Sequence, residues 1–207
     1  MKLFSTLMGK QTLLPIIQAN SVSQGLAIAK AMSDAGIGLV EVVLRTQASL
    51  DVIKAIKQEL PELKVGAGTV TDAETLAQAL AAGSDFIITP TISTNLLTHL
   101  ANCPVAVLPG VSTASDILLA KEFGYQEVKL FPASLSGGTP FLKAMGAVFK
   151  DISFCPTGGI NQSNQAEYLS LANVFAVGGT WIAQADWVEN EDWSKITQAC
   201  KAAQNVA

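Results

Sequence analysis

Short runs rich in Val, Ile and Leu alternate along the chain with longer stretches of amphipathic sequence. The runs fall at LLPIIQA (13–19), GLVEVVL (38–44), KVGAGT (64–69), DFIIT (85–89), PVAVL (104–108), EVKLF (127–131), ISFCPT (152–157) and VFAV (174–177). Each has the length and the branched, apolar content of a strand. The intervening segments carry helix signals. In SVSQGLAIAKAMSDAG, Ser21 is a cap and Gly36 a stop; TDAETLAQALAAG opens at Asp72 or Thr71 and closes at Gly83. Strands separated by helices and recurring roughly every 20–26 residues require right-handed parallel crossovers, and eight of them predict a (β/α)8 TIM barrel. A doubly wound open sheet is the alternative. Against it, the turn after the first strand reads IIQANSV, with no GxGxxG. The N-terminal MKLFSTLMGKQTLLPII predicts an amphipathic helix ahead of the barrel.

At 207 residues, with no linker or low-complexity segment, the chain is expected to form one domain over 1–207. Only 14% of residues are charged and the net charge is −4, so there is no basic face for nucleic acid and a small-molecule partner is expected. No apolar run approaches the roughly 18 residues of a membrane span, and the N-terminus lacks a small-residue cleavage site. Cys103, Cys155 and Cys200 are odd in number and form no CxxC pair, which suits reduced thiols and a cytoplasmic location.

One strand carries an anomaly. In EVKLFPA (127–133), Val128, Leu130 and Phe131 read as buried, yet Lys129 stands among them, and a buried unpaired ammonium is costly. Alternation puts Lys129 on the face of Glu127 and Phe131, toward a barrel axis, within two residues of the C-terminal rim where such barrels place their chemistry. GLVEVVLRT repeats the pattern with Glu41, Val43 and Arg45 on one face. Four residues of strand span about 13 Å, so Glu41 and Arg45 are expected to touch different parts of one ligand. Arg45 is the only arginine, and its planar fork suits a carboxylate.

A lone strand lysine ordinarily snorkels to the rim, and a strand glutamate is ordinarily half of a structural ion pair. Two anomalies aimed at one cavity favour a functional reading. Gly158-Gly159 in CPTGGI and the Gly178-Gly179 pair in VGGTWI follow the last two strands, where backbone N–H groups and a following helix N-terminus can cradle phosphate. Thr69, after Gly66 and Gly68, could donate to a carboxylate, or these glycines could mark only a tight bend. His99, the only histidine, lies in a helical pattern, so a His-based mechanism and a histidine-rich metal site are not expected. An inward lysine kept partly neutral by burial and a neighbouring cation or apolar wall, beside a glutamate, an arginine and a phosphate cradle, points to imine chemistry on a phosphorylated keto acid.

The motifs EVVLRT, VGAGTV, ITP, LPGVST, VKLFPAS, CPTGGI and VGGTW, in this order across essentially the whole chain, resemble the class I 2-keto-3-deoxy-6-phosphogluconate (KDPG) aldolases, a family that includes 4-hydroxy-2-oxoglutarate aldolases. The resemblance implies that Lys129 is the Schiff-base lysine and Glu41 the general acid/base. It implies that Arg45 and Thr69 hold the substrate carboxylate, that Pro90, Phe131 and Thr157 line the pocket, and that Gly158, Gly159, Gly179 and Thr180 receive the phosphate. It further implies no metal, no cofactor and a homotrimer. Gln18, Thr91 and Ala183-Gln184 depart from the family pattern and put ligand contacts there in question. A 2-keto-3-deoxy-6-phosphogalactonate aldolase is the nearest alternative. A non-catalytic phosphosugar-binding barrel or a pyridoxal-phosphate carrier would also use an inward lysine and a phosphate cradle.

Overall fold

The computed structural model describes residues 3–204. Helix α1 (Phe4–Met8) precedes strand β1 (Leu13–Ile17), followed by α2 (Val22–Ser33), β2 (Leu39–Val43), α3 (Ser49–Glu59), β3 (Lys64–Gly68), α4 (Ala73–Ala81) and β4 (Phe86–Ile88). Then come α5 (Thr94–Leu100), β5 (Ala106–Leu108), β6 (Gly110–Val111), α6 (Ala114–Glu122), β7 (Glu127–Leu130) and α7 (Gly138–Val148). The chain continues through β8 (Ser153–Pro156), α8 (Gln165–Leu169), β9 (Val177–Gly179), α9 (Ala185–Glu189) and α10 (Trp193–Gln204).

All strand pairings are parallel, which the intervening helices make possible. One sheet runs β5-β4-β3-β2-β1-β9 and another β6-β7-β8. Only Pro109 separates β5 from β6, and single bridges, Phe154 to Val174 and Thr157 to Gly178, connect β8 with the chain at β9. The protein is therefore an α/β fold on parallel sheet. Ser21, Asp72, Ser93 and Thr113 cap α2, α4, α5 and α6 through side-chain oxygens, and Asp72 with Thr75 completes a capping box. His99 lies in the last turn of α5.

Two parts of the sequence reading need correction. The N-terminal helix covers only Phe4–Met8, because Gly9 takes φ +61 and Pro15 bars a helix interior, leaving LLPII as β1. Five residues cannot hold a helix by themselves; burial of Phe4 and Met8, about 1.5–3 kcal/mol each, holds it. The last strand runs through the glycine pair rather than VFAV, because Val177, Gly178 and Gly179 are the residues that pair with Leu13, Leu14 and Pro15.

Alternation sorts the strand residues between two apolar clusters. Val40, Val42, Val128 and Leu130 pack under the helices. Leu14, Leu39, Phe86, Ile88, Leu108 and Cys155 form a separate cluster that takes in Phe4 and Met8 from α1. Phe4 meets Phe86 edge-on with ring centroids 5.1 Å apart, and the backbone N–H of Ser5 donates to Glu127 Oε2 at 2.9 Å. The interior is thus closed below β7 by α1. Among the described residues no helix is long and apolar enough to cross a membrane.

Candidate active site

Because Val128 and Leu130 face the helices, Lys129 is turned to the other side of β7, where it is 5% exposed. Its Nζ lies 3.1 Å from Oε1 and 3.3 Å from Oε2 of Glu41, which is 0% exposed. Space for this pair comes from missing side chains: a β-carbon on Gly68 would fall onto the Glu41 carboxylate, and one on Gly66 onto the Phe86 ring. Gly110, the register partner of Lys129 on one side, lies tight against the backbone of Thr89 and Pro90. On the other side the register partner is Cys155, whose thiol burial pushes up to about 12, so it stays neutral beside the pair. The Phe131 ring centroid is 5.3 Å from Nζ. Of the expected surroundings the structure supplies the apolar wall, and it supplies a carboxylate where a cation was the other expectation. The amine can therefore become a nucleophile by handing a proton to Glu41.

Beside the pair opens a cavity of about 170 Å³. Lys129, Phe131, Arg45 and Thr157 line it together with Gly158, Gly159, Gly179 and Thr180, so eight of the expected residues meet on one wall system. Arg45 Nε donates to Thr69 Oγ1 at 3.2 Å, not to Glu41. Thr69 has φ +66, a left-handed conformation that costs a β-branched residue about 1–3 kcal/mol and that turns its hydroxyl to Arg45. Thr157 Oγ1 is buried beside the Cys155 thiol and, among the described residues, has no nitrogen or oxygen partner. Glu41, Thr69 and Pro90 do not line the cavity; Glu41 stands behind Lys129 and Thr69 beside Arg45.

Gly158 and Gly159 have φ +92 and +80, which suits glycine alone without strain. Among the described residues no acceptor takes their N–H groups or that of Ile160. The helix expected directly behind this loop begins only at Gln165 and spans five residues. Asn161 and Asn164 instead hold the loop, accepting from the N–H of Ser163 and of Asn161, each at 2.8 Å. Any anion here meets loop amides rather than a helix end. Sequence reasoning placed Val43 on this face with Glu41 and Arg45 but missed Ile16 and Ile160, the rest of the apolar lining; Ile16 stands opposite Glu41 in the β1–β2 register, a partnership that no local pattern reveals.

The family model for KDPG and KHG aldolases matches residues 5–199. A 2-dehydro-3-deoxy-phosphogluconate aldolase of Pseudoalteromonas atlantica is 47% identical over 189 residues, covering 91% of this chain and 88% of that protein. The structure of the KDPG aldolase of Legionella pneumophila, with pyruvate captured at low pH as a covalent carbinolamine intermediate, matches with TM-score 0.93 at 36% identity. The match covers 96% of this chain and 97% of that one. The 2-keto-3-deoxy-6-phosphogluconate aldolase of Zymomonas mobilis ZM4 with 3-phosphoglycerate gives a TM-score of 0.92 at 36% identity, covering 98% and 95% respectively.

Proposed function

The chain belongs to the KDPG and KHG aldolase family, and from that premise we propose that it is a class I carbon–carbon lyase cleaving 2-dehydro-3-deoxy-6-phosphogluconate to pyruvate and glyceraldehyde 3-phosphate. The observation that carries this reading is the buried contact of Lys129 Nζ with Glu41 at 3.1 Å, beside a cavity with Arg45 and the open loop amides on its walls. The family range extends the reading to 4-hydroxy-2-oxoglutarate.

Lys129, having passed a proton to Glu41, attacks the C2 ketone. Glu41 relays protons through the carbinolamine as water leaves, giving a protonated imine that accepts electrons. The Glu41 carboxylate then takes the proton of the C4 hydroxyl, the C3–C4 bond breaks, and its electron pair moves into the imine to form an enamine. Glyceraldehyde 3-phosphate departs. The enamine is protonated at C3 and hydrolysed, which releases pyruvate and restores Lys129. In this scheme Arg45 and Thr69 hold the substrate carboxylate, Phe131 and Thr157 line the reacting carbons, and Pro90 supports Gly110 behind the lysine. Gly158, Gly159, Gly179 and Thr180 receive the phosphate.

Incubation with pyruvate and borohydride followed by peptide mass spectrometry tests the scheme. One adduct per chain at Lys129 is expected; an adduct spread over surface lysines, or none, would sink it.

The sheets are read as one single-domain (β/α)8 barrel; the lone Pro109 interruption between β5 and β6 and the two bridges at β9 support closure. A homotrimer is the expected assembly, supported by the low charge content and by the exposed Leu118, Leu135 and Val148. Light scattering that returned a monomer mass would refute it.

A further inference from the structure

The loop after β8 is held from behind by groups that do not line the cavity. A trans peptide unit is planar, with its C=O and N–H pointing in opposite directions, so whatever holds the oxygen also aims the hydrogen. The N–H of Ala133 donates to Thr157 O at 2.8 Å and that of Ser134 to Gly158 O at 3.1 Å, so the stretch that follows the strand of Lys129 fixes the first two units. Thr157 is still in bridge register with Gly178, and the N–H groups that have left the sheet are those of Gly159 and Ile160. The third unit, Gly159 to Ile160, has no backbone anchor among the described residues. Its oxygen accepts from Asn164 Nδ2 at 2.9 Å.

Asn164 is the N-cap of α8, where an asparagine oxygen ordinarily accepts from a first-turn N–H, yet its side chain makes no such bond. It turns back to the loop instead. Oδ1 accepts from the Asn161 N–H at 2.8 Å while Nδ2 holds Gly159 O, and because an N–H only donates and a carbonyl only accepts, these partners allow the amide one orientation. Gly159 and Ile160 line the cavity, and Asn164 stands off it. We infer that Asn164 is a positioning residue for phosphate recognition: by holding Gly159 O away from the cavity it turns the Ile160 N–H inward, beside that of Gly159, as a donor to the substrate's phosphate. Without Asn164 the unit can rotate, since glycine at φ +80 offers little resistance. The inference rests on the aldolase reading above, and it traces part of the preference for a phosphorylated substrate to a side chain that does not touch it.

The test compares Asn164→Ala with the unmodified protein on 2-keto-3-deoxy-6-phosphogluconate and on 2-keto-3-deoxygluconate. For the phosphorylated substrate kcat/KM should fall by about 10–100-fold, mainly through KM, as expected for one lost hydrogen bond to a charged group, and for the unphosphorylated one by less than about twofold. The pyruvate and borohydride adduct at Lys129 should form as before. Equal losses on both substrates, or an unchanged KM for the phosphorylated one, would overturn the inference. A second measurement needs neither the variant nor turnover: titrating the isotope-labelled, unmodified protein with inorganic phosphate should shift the backbone amide resonances of Gly159 and Ile160. An Ile160 resonance that stayed in place at saturating phosphate would overturn the inference. No cleavage of the phosphorylated substrate by the unmodified protein would overturn the aldolase reading, while the phosphate titration would still decide where the Ile160 N–H points.

Discussion

Lys129 and Glu41 are 88 residues apart in the chain, yet Nζ and Oε1 meet at 3.1 Å with both side chains buried. Neither charge has water to fall back on, so each residue's state depends on the other. Removing one partner should destabilise the fold by about 3–5 kcal/mol, whereas replacing both should cost far less. Lys129→Met should therefore lower the urea midpoint and abolish cleavage, and Lys129→Met with Glu41→Gln should recover much of the midpoint but no activity. A double variant no more stable than the single one would show that the pair is not energetically coupled.

Glu41 and Arg45 are assigned to different steps, and kinetics should separate them. Glu41→Gln keeps the volume and removes the proton carrier, so kcat should drop by roughly 10²–10⁴. Arg45→Lys loses the planar fork and the contact with Thr69, so its main effect should be a raised KM. If both variants changed KM alone, the assignment would be wrong.

Gly68 tests positioning at a distance from substrate. A methyl group there would push on the Glu41 carboxylate, and misplacing a catalytic group by about 1 Å can cost 10²-fold. Gly68→Ala should thus lower kcat by about 10–100-fold with little change in KM. An unaltered kcat would mean that Glu41 has room to spare.

The loop amides should distinguish a phosphorylated from an unphosphorylated substrate. Two to three hydrogen bonds to a charged group, each worth about 1.5–3 kcal/mol and not fully additive, predict that kcat/KM on 2-keto-3-deoxygluconate falls by about 10²–10⁴ relative to the 6-phosphate. Part of the loss should appear in kcat, because the remote phosphate helps to hold C4 beside Glu41. Thr180→Asp, at an exposed position on the cavity wall, should erase most of the difference. Gly179 is a poorer place for that charge, because any side chain there strikes Trp181.

Alkali should destabilise the protein. Burial raises Cys155 and Cys200 from 9.0 and Tyr125 from 10.0, each to about 12. Above pH 9 the unfolded chain releases protons that the native state retains. This contribution to stability is complete below pH 9 and is lost as pH rises toward 12. Urea midpoints measured from pH 8 to 11 should fall, and in the native protein a thiol reagent at pH 8 should reach only half-buried Cys103. Rapid labelling of Cys155 without unfolding would contradict the packing described.

Most of the fold is legible in the chain because its signals are local. Branched apolar runs bounded by turns mark the strands, and the oxygens of Ser21 and Asp72 mark helix starts. Period-two alternation alone turns Lys129, Glu41 and Arg45 away from the helices. The glycine pair at Gly178 and Gly179 misled for the same reason: glycine locally signals a turn, while pairing with β1 makes it strand.

What local pattern cannot supply is who stands opposite whom. Alternation assigns a face, but the register between strands decides that Cys155 and Gly110 flank Lys129 and that Ile16 stands beside Glu41. Only packing decides that the missing side chain of Gly68 becomes the space for a carboxylate, and that Thr69 accepts a left-handed backbone to meet Arg45. The sequence by itself determined that an amine and a carboxylate are turned to one interior and that a guanidinium stands at its mouth, since period and polarity are properties of each strand. The contact of Lys129 with Glu41 at 3.1 Å was decided by the tertiary structure, because distance between strands depends on every residue that fills the space between them.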